Sequence, residues 1–284
     1  MNISTDEIKN FYDDAIYRKL HGFIYKNNRV EYAWATLLNI LKDVEPKHIL
    51  EIGCGMGEIS YRLAEKLPET KVTGFDISEA SIFLAGKLFI KQNLNYLRAD
   101  NIVSAQIAED TKFDIVFLMD VYEHIPLNSR NELHSFIKEH IAQNGVLFLS
   151  CPTPQHLDYL RKNIPSEIQP VDENISLTEL MELSRDSELR LINYKEVSVW
   201  SAADYFHVIF SNRLKMQPFS DYVIYDKKEF VGIGLKKEIR KKITKAFKRI
   251  NKVEAPENDL AQKKELIKKM LGKEVLDKIE AYGK

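Results

Sequence analysis

From Pro46 to Asn212 the chain alternates between short, almost wholly apolar runs and longer stretches whose apolar residues recur at helical spacing. The apolar runs are HILEIG, KVTGFDIS, NLNYLRAD, FDIVFLMD and GVLFLSCP. Strands like these have no solvated face, so they belong in a sheet covered on both sides, and the intervening helices make that sheet parallel. The helices are GEISYRLAEKLP, stopped at Pro68, SEASIFLAGKLFIKQ, and SRNELHSFIKEHIAQNG, stopped at Asn144-Gly145. Residues 102 to 110 carry no clear pattern. NYKEVSVWS and DYFHVIFS then follow one another across only a few residues, a link that joins antiparallel neighbours alone. The expected fold is therefore α/β: a doubly wound, Rossmann-like sheet of seven strands, mostly parallel, ending in an antiparallel hairpin.

Helical segments flank this core, assigned here to residues 46–212. Residues 1–45 read as an N-terminal cap of two helices. Asp6 caps EIKNFYDDAIYRKLHGFIY, and RVEYAWATLLNILKDV ends before Glu45-Pro46 because a residue preceding proline disfavours the helical region. Residues 152–175, including QHLDYLRKNIPSEIQPVDEN, read as an irregular, lid-like insertion. SLTELMELSRDSELRLI is the next helix. Residues 213–284 form a helical extension. Its Lys-rich segment VGIGLKKEIRKKITKAFKRINKV has a solvated basic face and an apolar stripe of Ile239, Ile243, Phe247 and Ile250. That stripe is expected to dock on the body or to pair two copies in a homodimer. One or two helices over LAQKKELIKKMLGKEVLDKIEAY complete the extension.

Composition narrows the partners. A formal charge of -1 over 284 residues lacks the basic excess of a nucleic-acid-binding surface. Two cysteines, Cys54 and Cys151, are too few for a disulfide framework. The polar, acidic N-terminus is unlike a signal peptide and no apolar run is long enough to cross a bilayer, which points to a cytoplasmic protein.

The first strand runs into Gly53, Gly55 and Gly57 and then a helix. Such a turn brings bare backbone and a helix N-terminus against a ligand. The spacing is G-x-G-x-G rather than the G-x-G-x-x-G of dinucleotide enzymes, and the acid Glu51 sits poorly beside a pyrophosphate. LEIGCGMGEIS instead resembles the first motif of class I S-adenosylmethionine-dependent methyltransferases, with VTGFDIS, LRADNI, FDIVFLMD–VYEHIP and QNGVLFLSCPTP resembling the later motifs in order. The small-molecule, ubiquinone-pathway O-methyltransferase group is the one most resembled. The resemblance implies that Glu51, Gly53, Cys54, Gly55 and Gly57 surround the cofactor's amino-acid end. Asp76, 19 residues past Gly57, would hold the ribose hydroxyls with Ile77 beside it. Asp100 would accept from the adenine amino group, flanked by Asn101 and Ile102. Met119 and Asp120 would lie near the cofactor, and Tyr12 would close over its methionine end.

The implied reaction is methyl transfer to a small-molecule acceptor, most readily at oxygen: a hydroxyl, a sugar or a phosphate-bearing metabolite. Its chemistry asks for in-line positioning and, for a hydroxyl, a base. His124 is the expected general base, with Glu123 beside it, because imidazole titrates nearest neutrality. Asp120, Glu123 and His124 also resemble the E-x-x-E-H metal motif of the ubiquinone-pathway enzymes, which makes Mg²⁺, Mn²⁺ or Zn²⁺ a second expectation. Acceptor-pocket candidates are Tyr17, His21, Tyr25 and Arg29 from the cap, His156, Tyr159 and Arg161 from the insertion, and Tyr205 and His207 from the hairpin. Arg29, Arg161 and Arg213 are candidates to hold an anionic acceptor. N-methylation and a non-catalytic, cofactor-binding scaffold are the alternatives.

Overall fold

The computed structural model describes residues 16–213 and 257–282. Tyr12, the start of the first helix and the Lys-rich stripe Ile239–Ile250 lie outside the described residues. In chain order the elements are α1 (Ile16–Tyr25), α2 (Asn28–Asp43), β1 (His48–Ile52), α3 (Glu58–Lys66), β2 (Lys71–Asp76), α4 (Glu79–Leu88), β3 (Leu94–Arg98), β4 (Phe113–Met119), α5 (Leu127–His140), β5 (Ile141–Pro152), α6 (Pro154–Asn163), α7 (Leu177–Asp186), β6 (Leu191–Val197), β7 (Tyr205–Ser211), α8 (Glu257–Leu271) and α9 (Lys273–Tyr282). A 3-10 turn, Tyr122–His124, follows β4 and another, Pro165–Glu167, follows α6.

The seven strands lie in the order β3-β2-β1-β4-β5-β7-β6. β1 pairs parallel with both β2 and β4, so the connection direction reverses between β1 and β4, the place where ligands meet open α/β sheets. β7 runs antiparallel to β5 and β6, as the short link requires.

Adjacent residues of each central strand bury on opposite faces. Leu50, Val116, Leu118, Leu147 and Phe206 pack on one face with α5 and α7 residues such as Leu133, Ile137, Leu180 and Leu183. Ile49, Ile115, Phe117, Phe148 and Ile209 pack on the other with Leu37 and Ile40 of α2 and Leu63 of α3. This two-sided burial explains why the strands read as unbroken apolar runs.

The helices start where side chains meet their orphan N–H groups. The Asn27 side chain accepts from the Arg29 N–H at 3.0 Å, Ser78 Oγ from Ser81 at 3.0 Å, and Ser176 and Glu179 form a capping box on α7.

Three boundaries differ from the sequence expectation. α5 ends at His140 rather than at Asn144-Gly145, because Ile141 is buried in the core and pairs with Phe113. The ladder then resumes at Ile115↔Val146, so residues 142–145 bulge between the two. The insertion is not irregular throughout: Thr153 Oγ1 accepts from the His156 N–H and Pro154 opens α6, a regular helix. α7 stops at Asp186, and Leu191 already belongs to β6.

At the other end, α8 and α9 fold back on α1 of the same chain. Ile267 and Ile279, both fully buried, join Leu20, Phe23 and Ile24 of α1 and Leu84 and Leu88 of α4 in a separate apolar cluster. Lys263 Nζ donates to the Phe23 carbonyl at 2.9 Å. The described part of the extension thus packs an apolar face within the chain. No helix among the described residues is long and apolar enough to cross a membrane.

One strand residue stands apart from its apolar neighbours. Glu51 is 3% exposed, and its Oε2 accepts from Ser60 Oγ at 2.5 Å. Burial pushes its carboxyl up to about 8, with the Ser60 hydrogen bond opposing and Asp76 adding to the rise. A carboxyl whose folded pKa exceeds its unfolded value stabilises the fold fully below the unfolded pKa, and that contribution drains away as pH climbs through the folded value. Glu51→Gln keeps an oxygen for Ser60 without a buried charge. In denaturant titrations it is expected to be more stable than wild type by about 1–3 kcal/mol above pH ~8 and indistinguishable below pH ~4.5.

Candidate active site at the β1–β4 crevice

The glycine loop is built onto β2. The Gly53 and Cys54 N–H groups both donate to the Phe75 carbonyl, at 2.7 and 2.8 Å. Gly53 has φ +77°, and a Cβ there would fall 2.2 Å from Val121 Cγ2. Gly57, the N-cap of α3, has φ +85°, and a Cβ would fall 2.4 Å from the Tyr96 hydroxyl. Neither position tolerates a side chain. Gly55 differs: nothing lies within 4 Å of its missing Cβ, so this residue faces open space.

Asp76 closes the loop from below. Its Oδ2 accepts from the Gly55 N–H at 2.7 Å and its Oδ1 from the Ser78 N–H at 2.8 Å. Each carboxylate oxygen has a second lone pair, so both can still accept from a ligand's hydroxyls. A bare, open loop with a carboxylate at its edge fits the sugar and amino-acid ends of S-adenosylmethionine.

The other residues expected at the cofactor differ in their surroundings. Glu51 is buried beneath the loop against Ser60. Cys54 Sγ points into the space beside Gly74, and burial holds its thiol well above the ordinary range, as it does that of Cys151. Asp100 is exposed and paired with Arg98 at 2.5 Å. The Asn101 side chain accepts from the Ser104 N–H at 2.8 Å, and Ile102 is buried in the core. Ile77 and Met119 are half-buried at the ends of β2 and β4.

Past Met119 the chain bends sharply. Asp120 takes φ +54°, a left-handed conformation unusual for a non-glycine residue, while its N–H donates to the Ser150 carbonyl at 2.8 Å. Its Oδ2 lies 3.0 Å from Arg29 Nη1, which also donates to the Tyr205 hydroxyl at 3.2 Å. Residues from α2, β4 and β7 thus meet in one ionic cluster. Trp200 covers it: the Arg29 guanidinium lies 5.5 Å from its ring centroid, and Tyr205 meets it edge-on at 5.8 Å. The Asp204 carboxylate fixes the loop that carries Trp200 by accepting from the Val199, Trp200 and Ser201 N–H groups at 2.7 to 2.9 Å.

The 3-10 turn places Glu123 and His124 behind Asp120. Glu123 is 1% exposed. Burial pushes its carboxyl up to about 7, only partly opposed by His124. His124 Nδ1 donates to the Val171 carbonyl at 2.6 Å and lies 3.0 Å from Asp172 Oδ1, while its Nε2 is 3.7 Å from Glu123 Oε1. Burial alone would lower the imidazole, but Glu123 and Asp172 outweigh it and raise the ring to about 9. At neutral pH the ring therefore carries its proton. His124 ties the segment after α6 to the turn, helped by the Glu173 N–H donating to the Glu123 carbonyl at 2.9 Å.

The metal expectation also meets a poor donor set. Asp120 is committed to a guanidinium, His124 Nδ1 is turned to Val171 and Asp172, and no group of three or more metal-capable side chains gathers among the described residues. These residues do not fit a divalent cation.

The remaining acceptor candidates separate. His207 lies in the core, 2.8 Å from Thr36 Oγ1, its ring pushed down to about 3 by burial. Arg161 is held by Asp158, Asn174 and the Asp172 carbonyl, and Arg213 donates to the Asp43 carbonyl at 2.6 Å. Tyr17 lines an apolar groove of about 590 Å³ between α1, α4 and the α8–α9 turn. His21 and Tyr25 stack on one another at 4.6 Å in α1, and Tyr159 is exposed on α6. His156 lies 6.2 Å from the Tyr205 ring. Trp200, Gln169 and Asp172 reach the site without any sequence signal beyond their residue types.

Comparison with known proteins agrees with this geometry. A model of the methyltransferase domain family matches residues 26–209. The ubiquinone biosynthesis O-methyltransferase of Pasteurella multocida is 25% identical over 166 residues, covering 52% of this chain and 67% of that protein. The release factor glutamine methyltransferase of Fusobacterium nucleatum is 30% identical over 112 residues, covering 38% of this chain and only 30% of its own length. Magnesium protoporphyrin IX methyltransferase from Synechocystis, solved with bound S-adenosylhomocysteine, superposes with a TM-score of 0.55 at 17% identity over 74% of this chain and 99% of that one. This last likeness is one of fold. The bare loop over Asp76, the strand order and the family match together place the chain in the class I S-adenosylmethionine-dependent methyltransferases.

Proposed function

We propose that the protein methylates a hydroxyl of a small molecule presented at the end of β4. The observation that carries this reading is Glu123: a buried carboxyl brought to about 7, with Oε2 unpartnered among the described residues, beside the crevice where the cofactor loop opens. Relatives named for a quinone pathway and for a protein release factor differ in acceptor, so the choice of oxygen rests on this site and not on them.

Bound S-adenosylmethionine supplies an electrophilic methyl group on a sulfonium. Asp76 grips the ribose hydroxyls, and the Gly53–Gly57 loop receives the amino-acid end. Glu123 takes the acceptor's proton as the new O–C bond forms, a role that suits a group titrating near the working pH. His124, as an imidazolium, holds the turn and balances the negative charge around it. Asp120, fixed by Arg29 and Tyr205, orients the acceptor.

Three outcomes are expected. Asp76→Ala weakens S-adenosylhomocysteine binding by at least about tenfold in calorimetry, since hydrogen bonds to a charged group contribute about 1.5–3 kcal/mol; unchanged affinity would overturn the cofactor assignment. Glu123→Gln lowers kcat by about 10²–10⁴ and abolishes the acid limb of the pH–rate profile near pH 7. An unaltered profile would remove Glu123 from the chemistry. Finally, turnover in excess chelator matches the untreated enzyme, because the Asp120 carboxylate that a metal would need is already held by Arg29.

A further inference from the structure

Three polar atoms around the β4 end are shut away from solvent with no hydrogen-bond partner among the described residues, Asp120 Oδ1, Glu123 Oε2 and Arg29 Nε, and a fourth, Gln169 Oε1, lies on the segment that Asp172 ties to His124. A buried polar atom without a partner costs about 1–3 kcal/mol, so these atoms mark where a ligand completes the structure. Three of the four are oxygens and one is an N–H. Their missing partners are therefore several donors and one acceptor.

Charge narrows the ligand further. A carboxylate or phosphate would reach Arg29 only by meeting Asp120, which already neutralises it at 3.0 Å, along with Glu123 and Asp172. An ammonium could donate to the three oxygens but offers no acceptor to the Arg29 Nε–H. Hydroxyls face neither penalty, and each offers a donor and an acceptor. A compact molecule carrying several hydroxyls fits this set, whereas a simple aromatic diol has only two.

The wall of the site speaks to shape. Trp200 is 53% exposed despite three backbone hydrogen bonds that hold its loop on Asp204, so a large apolar face is kept rigid beside the polar cluster. Tyr205 supports its edge and Arg29 one face. A rigid indole beside the Arg29–Asp120 pair suits a ring that has C–H groups on one face and hydroxyls around its rim.

We propose that the acceptor is a neutral, polyhydroxylated ring of the pyranose class, seated against Trp200, with its hydroxyls shared among Asp120, Glu123, Gln169 and Arg29. This rests on the methyl-transfer reading above and narrows its acceptor. The methylated product is an O-methyl ether: one hydroxyl loses its proton to Glu123 and gains the carbon, while the C–S bond breaks with its electron pair left on sulfur as a neutral thioether.

The test uses the full-length protein saturated with S-adenosylhomocysteine and saturation-transfer NMR. The probes are the methyl glycosides of glucose, galactose, mannose and rhamnose, against glucuronate, glucosamine and catechol. Parallel incubations with S-adenosylmethionine are read by mass spectrometry for a methylated product. At least one neutral glycoside is expected to show transfer to its ring protons and to gain a methyl group. Trp200→Ala should weaken that binding by about tenfold and Trp200→Phe should restore most of it, with S-adenosylhomocysteine affinity unchanged. The proposal is overturned if no neutral glycoside binds, if only the charged sugars or catechol are bound or methylated, or if Trp200→Ala leaves glycoside binding intact. Failure of S-adenosylhomocysteine to bind at all would instead remove the methyl-transfer reading, and this proposal with it.

Discussion

Both faces of the sheet are sealed by helices, and this decides where polar chemistry can be placed. Ile49 and Leu50, Ile115 and Val116, Phe148 and Leu149 each send neighbouring side chains into opposite apolar layers. A charge set into either layer pays for its desolvation, as Glu51 shows by holding its proton towards about 8. Strand ends are the places where main chain leaves the ladder, and the β1–β4 boundary is where two crossovers diverge and leave a crevice. The glycine loop, Asp76 and the Asp120–His124 turn all stand at that rim.

The rim carries two electrostatic devices of different kinds. At β2, a carboxylate is pinned by two backbone N–H groups and keeps lone pairs to spare, an arrangement that favours a ligand rich in hydroxyls. At β4, charges of both signs are packed together: Arg29 against Asp120, and His124 between Glu123 and Asp172. Such a cluster is close to neutral overall but strongly dipolar. In the proposed reaction such a field favours the separation of charge in proton transfer. The left-handed backbone at Asp120 belongs to this device, because it turns the carboxylate from the strand end towards α2 and β7.

The fold and the glycine loop set over Asp76 were legible in the sequence because their causes are local. Apolar runs demand two-sided burial, a short link between NYKEVSVWS and DYFHVIFS demands antiparallel pairing, and closely spaced glycines demand positive φ. Boundaries failed where tertiary packing overrode a local signal. Asn144-Gly145 is a strong helix stop, yet the core takes Ile141 into β5 four residues earlier. In QHLDYLRKNIP the prolines drew attention away from the helical signal, although Thr153-Pro154 is itself a helix start. The acceptor half is harder to read for a related reason. Arg29, Asp120, Trp200 and Tyr205 stand far apart in the chain, and Arg29 pairs with Tyr205 across 176 positions. Spacing carries no trace of such a contact.

His124 shows how neighbours from distant parts of the chain set the chemistry of a side chain. Its residue type and its place after β4 both suit a base, and the sequence holds nothing that argues otherwise. What changes its chemistry is Asp172, delivered from beyond α6 to within 3.0 Å of Nδ1, together with Glu123 on the other side of the ring. Two carboxylates around one imidazole raise its affinity for a proton until it serves as a fixed cation. The same field keeps the Glu123 carboxyl from rising further than about 7 despite nearly complete burial. In the proposed mechanism the base is made by its neighbour: a lone buried glutamate would stay protonated, and the imidazolium beside it brings that carboxyl into the range where it can release and accept a proton at neutral pH.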